Sequence, residues 1–235
     1  MRTHRVRALL MGGQACVFYG AAEFSRDTDL AIVADATNLA RLRRALADLQ
    51  AQLIAVPPLT AGMLRRGHAV HFRCHHPDAW RMRVDVMAKM RGVGAFDGLW
   101  RRRTTIALPG DVRCDLLSVA DLVLAKKTQR DKDWPMIRRL VEAHYFEHVR
   151  TQSPAQRRFW FRELRTPELL IDLSRRDPAL CRRLMSRRPL LRHAASGDEN
   201  LLTRTLLEEE LAERAKDREY WRPLRAELEQ MRRLR

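Results

Sequence analysis

Apolar residues along this chain follow two rhythms. Up to about Leu117 they come in short runs separated by glycine, proline and acidic residues; beyond it they recur every three or four positions, the spacing of an amphipathic helix. "VRALLM", from Val6 to Met11, reads as a strand stopped by Gly12-Gly13, a pair that permits a tight turn or a close approach of ligand to backbone. "QACVFYGAA" fits one or two helical turns. "TDLAIVA" reads as a second strand, with Asp35 and Thr37 following as caps. Leu39, Leu42, Ala45, Leu46 and Leu49 then mark an amphipathic helix. "QLIAV" is expected to be an edge strand before Pro57-Pro58. "HAVHFRC" and "RMRVDVMA" read as strands of a hairpin turned by "HHPDAW", and "TTIALPG" and "VRCDLL" as a further hairpin or arm.

The second rhythm begins where Ser118 is followed three residues later by Asp121, close to a capping box. In "DWPMIRRLVEAHYFEHV", Asp133 is read as a cap and Pro135 as a first-turn residue. Further helices are expected at "SPAQRRFWFREL", "TPELLIDLS", "DPALCRRLM" and "LLTRTLLEEELAERAKDREYWRPL". "ASGDEN", from Ala195 to Asn200, is the clearest loop. The pattern predicts an α+β protein: a mixed β-sheet with flanking helices over residues 1–117, then a mostly helical region over residues 118–235.

The chemistry-bearing feature of the first part is "DTD". Side chains alternate along a strand, so Asp27 and Asp29 point the same way if a strand begins there. Arg83, Asp85 and Met87 likewise share one face of their strand, with Val84 and Val86 on the other. A charge between two valines is costly unless it is used. Three carboxylates on neighbouring strands make an oxygen-rich site suited to magnesium, able to hold one or two ions against a phosphoryl group. The plainer alternative is a turn at Asp27 and Asp29 and an arginine partner for Asp85.

Composition narrows the partners. The formal net charge is +16, which favours polyanions such as nucleic acid, nucleotides or an acidic protein; an arginine-rich genome composition is the bland alternative. No stretch approaches the roughly 20 apolar residues of a membrane span. The basic N-terminus has too short an apolar part for a signal peptide, so a cytoplasmic location is expected. Cys16, Cys74, Cys114 and Cys181 form no CxxC, which argues against a disulfide scaffold.

"GGQA…YG…SRDTDLAI", then "RVDVM", then "KKTQRDKD" together resemble the nucleotidyltransferase superfamily of the DNA-polymerase-beta type, and within it the AbiEii-like and related minimal nucleotidyltransferases, many of them toxins of toxin–antitoxin pairs. The resemblance covers roughly the first 135 residues. It matches Gly12 and Gly13 to the family's glycine turn, Asp27 and Asp29 to its DxD, and Asp85 to its third carboxylate. Gln14 departs from the Ser or Thr that many relatives use to touch a phosphate. The resemblance implies a magnesium-dependent transfer of a nucleoside monophosphate from a nucleoside triphosphate (NTP) to an acceptor hydroxyl. It places the triphosphate against the backbone behind Gly13 and at Gln14. It gives Asp27, Asp29 and Asp85 the metal, and adds positioning of the acceptor hydroxyl to Asp85. Lys126 and Arg130, four apart and read as one helical face, are expected to neutralise phosphate charge. Asp133 either orients Arg130 or caps the next helix.

The acceptor is expected to be a tRNA end, a protein hydroxyl or a small hydroxyl compound, and a cognate antitoxin is a possible partner. Two other readings stay open: a non-catalytic nucleic-acid- or protein-binding module on the same fold, and an antibiotic-modifying nucleotidyltransferase, which the basic surface disfavours. "RRFWFREL" is read either as aromatics packed in a core or as a platform for RNA bases. Cys74, His75, His76 and Asp78 are read as a polar turn rather than a zinc site, for want of a distant second ligand pair. His68 and His71 are three apart and face opposite ways in a strand, which argues against a metal role for both together.

Overall fold

A computed structural model describes residues 1–110 and 112–234. It is an α+β protein: a seven-stranded mixed sheet with flanking helices, and a helical C-terminal region. The chain divides into two compact units. The first holds Met1–Phe18, Ala22–Ala125 and the chain from Glu219 on; the second holds Tyr19–Ala21 and Lys126–Arg218. The expected boundary after residue 117 therefore moves to Ala125, and the end of the last helix belongs with the sheet.

The first unit runs β1 (Ala8–Met11), α1 (Gly12–Phe18), β2 (Asp27–Ile32), α2 (Ala36–Asp48), β3 (Gln52–Leu53), α3 (Ala61–Arg66), β4 (Val70–Arg73), β5 (Arg83–Met87), α4 (Phe96–Arg102), β6 (Thr104–Leu108), β7 (Val112–Leu116) and α5 (Val119–Lys126), the last residue of α5 falling in the second unit. The strands lie in the order β3-β4-β5-β2-β1-β7-β6. β2 runs parallel to β5 and β1 parallel to β7; β1–β2, β3–β4, β4–β5 and β6–β7 are antiparallel. The two expected hairpins are present, and β3 is the edge strand that "QLIAV" suggests.

Local chemistry explains these elements. Asp35 caps α2 by accepting from the backbone N–H of Asn38 at 2.7 Å. Leu39, Leu42, Ala45 and Leu46 form its buried stripe. Asn38 is itself buried, yet its amide is fully used: it donates to the carbonyls of Arg7 and Val33 and accepts from the N–H of Arg7, tying α2 to the start of β1 and the end of β2. Ser118 accepts from the N–H of Asp121 and donates to its carboxylate, which also takes Arg102. Two short helices lie where the apolar pattern reads no helix, α3 and α4.

The second unit continues with α6 (Asp133–His148), α7 (Pro154–Glu163), α8 (Pro167–Arg176), α9 (Pro178–Leu184), α10 (Leu191–Ser196) and the part of α11 (Glu199–Arg233) up to Arg218. Ser153 and Gln156 close a capping box on α7, and Asp177 caps α9. Phe159, Trp160 and Phe161 are buried, so "RRFWFREL" supplies core and offers no platform for bases. Arg188 is buried among these helices. It donates to the carbonyls of Phe161 and Leu164 and to both oxygens of Glu209. "ASGDEN" is mostly helix: only Gly197, in the left-handed region, and Asp198 separate α10 from α11.

Candidate functional site

Asp27 opens β2, and its neighbour across the parallel pairing is Arg83; two residues on, Asp29 stands beside Asp85. Residues paired across a sheet point to the same side, and so do residues two apart on a strand. The structure therefore brings Asp27, Asp29 and Asp85 to one face, with Arg83 among them. On β4, His71 is the residue opposite Asp85 and joins the same face. Thr28 alternates to the other side, where its hydroxyl donates to Gln14 at 3.3 Å. Gln14 is thus engaged by the residue between the two aspartates that points away from them.

Gly12, the first residue of α1, follows β1 against this face. Its φ is +68°, in the left-handed region, and a Cβ built on it would lie 1.8 Å from Oδ2 of Asp29. The missing side chain is what lets the Asp29 carboxylate sit against the turn. Gly13 is filled differently from the expectation. A Cβ there would lie 2.5 Å from the hydroxyl oxygen of Ser25, so a side chain at 13 meets the protein's own Ser25 before any phosphate.

Asp85 is buried, with its side chain 12% exposed. Its Oδ1 accepts from Arg83 Nε at 2.8 Å and lies 2.8 Å from His71 Nδ1. Burial alone would push this carboxyl up; the hydrogen bonds from His71 and Arg83 outweigh it and hold the group below the usual carboxylate range. Reciprocally, the bond to Asp85 holds the Arg83 guanidinium above its ordinary value against the opposing effect of burial, and the charges of Asp85, Asp27 and Asp29 add to it. The cation that stands among the three carboxylates is Arg83. Both readings of Asp85 are thus partly met: it shares a face with the DxD, and it pairs with an arginine. Among the described residues no three His, Cys, Asp or Glu side chains are gathered closely enough to hold a metal ion between them. In kind, the carboxylate oxygens suit magnesium.

Lys126 and Arg130 are held in a different way from the one expected. α5 ends at Lys126 and Arg130 lies in the turn before α6, so they do not share a helical face. What joins them is Asp133, whose side chain has no exposed surface. It accepts from Lys126 Nζ at 3.0 Å, from Thr128 Oγ1 at 2.5 Å and from Arg130 Nε at 2.8 Å. Lys126 is neither solvated nor open to a phosphate; its ammonium is buried in this pair. Asp133 is the first residue of α6 rather than its cap, which is Lys132 without a side-chain bond. Burial would raise the Asp133 carboxyl; the charges of Lys126 and Arg130 and the bond from Thr128 bring it below the usual range.

A cavity of about 470 Å³ opens in the first unit beside Ile32 to Asp35, Arg65, Lys89 and Phe96. It lies past the carboxyl ends of β2 and β5, and none of the three aspartates lines it. His71 is the neighbour of Asp85 that sequence reasoning passed over, whereas Arg83 was placed on the face of Asp85 and an arginine partner was one of the two readings of that residue. The spacing Arg-x-Asp was enough to place Arg83 beside Asp85, whereas His71 needs the pairing of β4 with β5. No protein-family model matches this chain, and no curated protein matches it.

Proposed function

We propose that this chain is a metal-dependent nucleotidyltransferase that moves a nucleoside monophosphate from an NTP to an acceptor hydroxyl. The observation that carries this reading is the shared face of Asp27, Asp29 and Asp85 on two adjacent parallel strands, with the Gly12 turn packed on Asp29. The order of glycine turn, DxD and third carboxylate supports it through the resemblance to nucleotidyltransferases of the DNA-polymerase-beta type. Asp27, Asp29 and Asp85 would hold one or two magnesium ions, which when bound supply charge neutralisation for the phosphates. The acceptor oxygen forms a bond to the α-phosphorus, the bond from that phosphorus to the bridging oxygen breaks, and pyrophosphate leaves with that oxygen. A carboxyl held below its usual range is a weak base near neutral pH, so Asp85 orients the acceptor hydroxyl and the proton passes to solvent.

Lys126 has no phosphate role in this proposal, because its ammonium is committed to Asp133. Arg130, with its side chain 57% exposed, keeps surface for an anion. The net charge of +16 favours an RNA acceptor, such as a tRNA end, over a cationic drug or a small neutral alcohol. A toxin role with an acidic antitoxin is compatible with the same charge. Among the described residues no helix is long and apolar enough to cross a membrane.

A second reading has its own support. Arg83 already bonds Asp85 and His71 lies 2.8 Å from it, as expected of a non-catalytic module in which that carboxylate is internally neutralised. Incubation with each α-labelled NTP, magnesium and an extract of RNA and protein separates the two. The transferase reading expects label on one acceptor class with release of pyrophosphate. Absence of label from every acceptor leaves the binding module.

A further inference from the structure

Residues 167–196, the run from α8 to α10, hold seven arginines against three acids. Two of the acids are already taken, Asp172 by Arg176 and Asp177 by Arg157. The third, Glu168, lies in the first turn of α8, whereas Arg175 lies in its last. Arg188 is buried on Glu209. That leaves Arg175, Arg182, Arg183, Arg187 and Arg192, all exposed and, among the described residues, without an ion pair. The packing draws them together. Ser174 Oγ lies 3.4 Å from Cys181 Sγ, which lies 3.7 Å from the carbonyl oxygen of Leu191. Arg175, Arg182 and Arg192 each follow one member of that contact in sequence. Arg183 is next along α9, and the N–H of Arg187 donates to the carbonyl of Leu184 in the turn that follows. Cations in the last turns of α8 and α9 complement the helix dipoles, but two helix ends do not call for five of them. Like charges gathered without acids repel one another, and a bound polyanion relieves that cost.

We propose that these five arginines form a docking surface for the phosphate backbone of RNA, bound without regard to base sequence. The inference rests on the transferase reading only for calling that RNA the acceptor. Each guanidinium is a planar fork that fits phosphate oxygens. An acidic protein fits the surface less well: among the described residues no large apolar side chain is exposed on α8–α10, so the cluster lacks the apolar centre of a protein interface. The same lack of exposed aromatics leaves nothing there to stack on bases, which is why the contact is to phosphate.

The test is fluorescence anisotropy with a short labelled single-stranded RNA, on the full-length protein over a series of salt concentrations, without nucleotide or magnesium. Wild type is compared with the triple variant Arg182→Ala, Arg183→Ala, Arg187→Ala. A second triple, Arg44→Ala, Arg101→Ala, Arg139→Ala, removes the same charge from exposed arginines elsewhere. All six side chains are exposed, and circular dichroism confirms folding. Each phosphate contact to a single strand adds about 0.7 to the salt slope, so the first triple should lower the slope by about 2 and the affinity about 10-fold or more. The scattered triple should stay within about threefold of wild type. Equal losses in the two triples overturn the inference, because the field is then diffuse; so does wild-type affinity in the first. DNA of the same sequence is the second probe: weakening of both by the first triple is the result expected of a phosphate surface, and weakening of DNA alone overturns RNA as the ligand. Polyglutamate that displaces RNA at equal charge overturns it in favour of an acidic protein. The transferase reading fails separately: no nucleotidyl label from a protein with the expected RNA pattern removes the reaction and leaves the docking surface intact.

Discussion

Asp133 binds two cations and a hydroxyl with a side chain that has no exposed surface. Its value to the fold lies in the partner it neutralises, since the Lys126 side chain is itself only 7% exposed. Asp133→Asn would strand that ammonium, and breaking one side of a buried pair costs about 3–5 kcal/mol. The pH dependence follows from the direction of the shift. The carboxyl sits below its ordinary 3.8 in the folded chain, so its contribution is complete above that value and is lost as pH falls through the lower folded value. Urea unfolding should therefore show Asp133→Asn well below wild type at neutral pH, with the gap closing only below about pH 3.8. A constant gap down to strong acid would contradict this account of the pair. Sequence reasoning could place Lys126, Arg130 and Asp133 near one another in the chain. It could not tell a buried pair from a phosphate site, because burial is decided by helices packed from elsewhere.

The turn between β1 and α1 links sequence to site at the scale of an element. Two properties of Gly12 are separable: a left-handed backbone, and a missing Cβ that the Asp29 carboxylate replaces. Gly92 has a similar φ of +72° with nothing within 4 Å of a built Cβ. Gly92→Ala should cost only the left-handed penalty of about 1–2 kcal/mol, and Gly12→Ala should cost clearly more. Equal losses of stability in the two variants would mean that Asp29 does not need the turn. The strands of this unit were readable because each apolar run ends at a turn residue. α3 and α10 are six residues long and α4 seven, too short for a helical period to emerge. α3 did carry its signals, Thr60 as cap and Gly67 beyond its end. "ASGDEN" looked like a loop on composition alone, yet one glycine in the left-handed region and one capping aspartate suffice for the break. The helix α11 continues past Pro223 to Arg233, beyond the stretch that the sequence pattern marked.

At the scale of the whole molecule, two properties of the chain bear on function: a sheet that collects acids on one face, and a net charge of +16. Excess positive charge draws a polyanion to the protein; the acids give it somewhere to bring a cation and a triphosphate. The period-two reading of "DTD" and "RVDVM" was enough to put the three carboxylates on one side. It also put Arg83 on the side of Asp85, but it did not reveal that Arg83 would stand beside Asp27 as well, or that His71 would come close to Asp85 from β4, since both depend on which strands become neighbours. The most direct measurement is transfer of α-labelled nucleotide by wild type and by Asp85→Asn, at saturating triphosphate and magnesium, with circular dichroism as the folding control. The account predicts that wild type labels its acceptor and that a folded Asp85→Asn is slower by on the order of 100-fold, the loss expected when an electrostatic group is removed from a reacting centre. Equal turnover by the two proteins would contradict it.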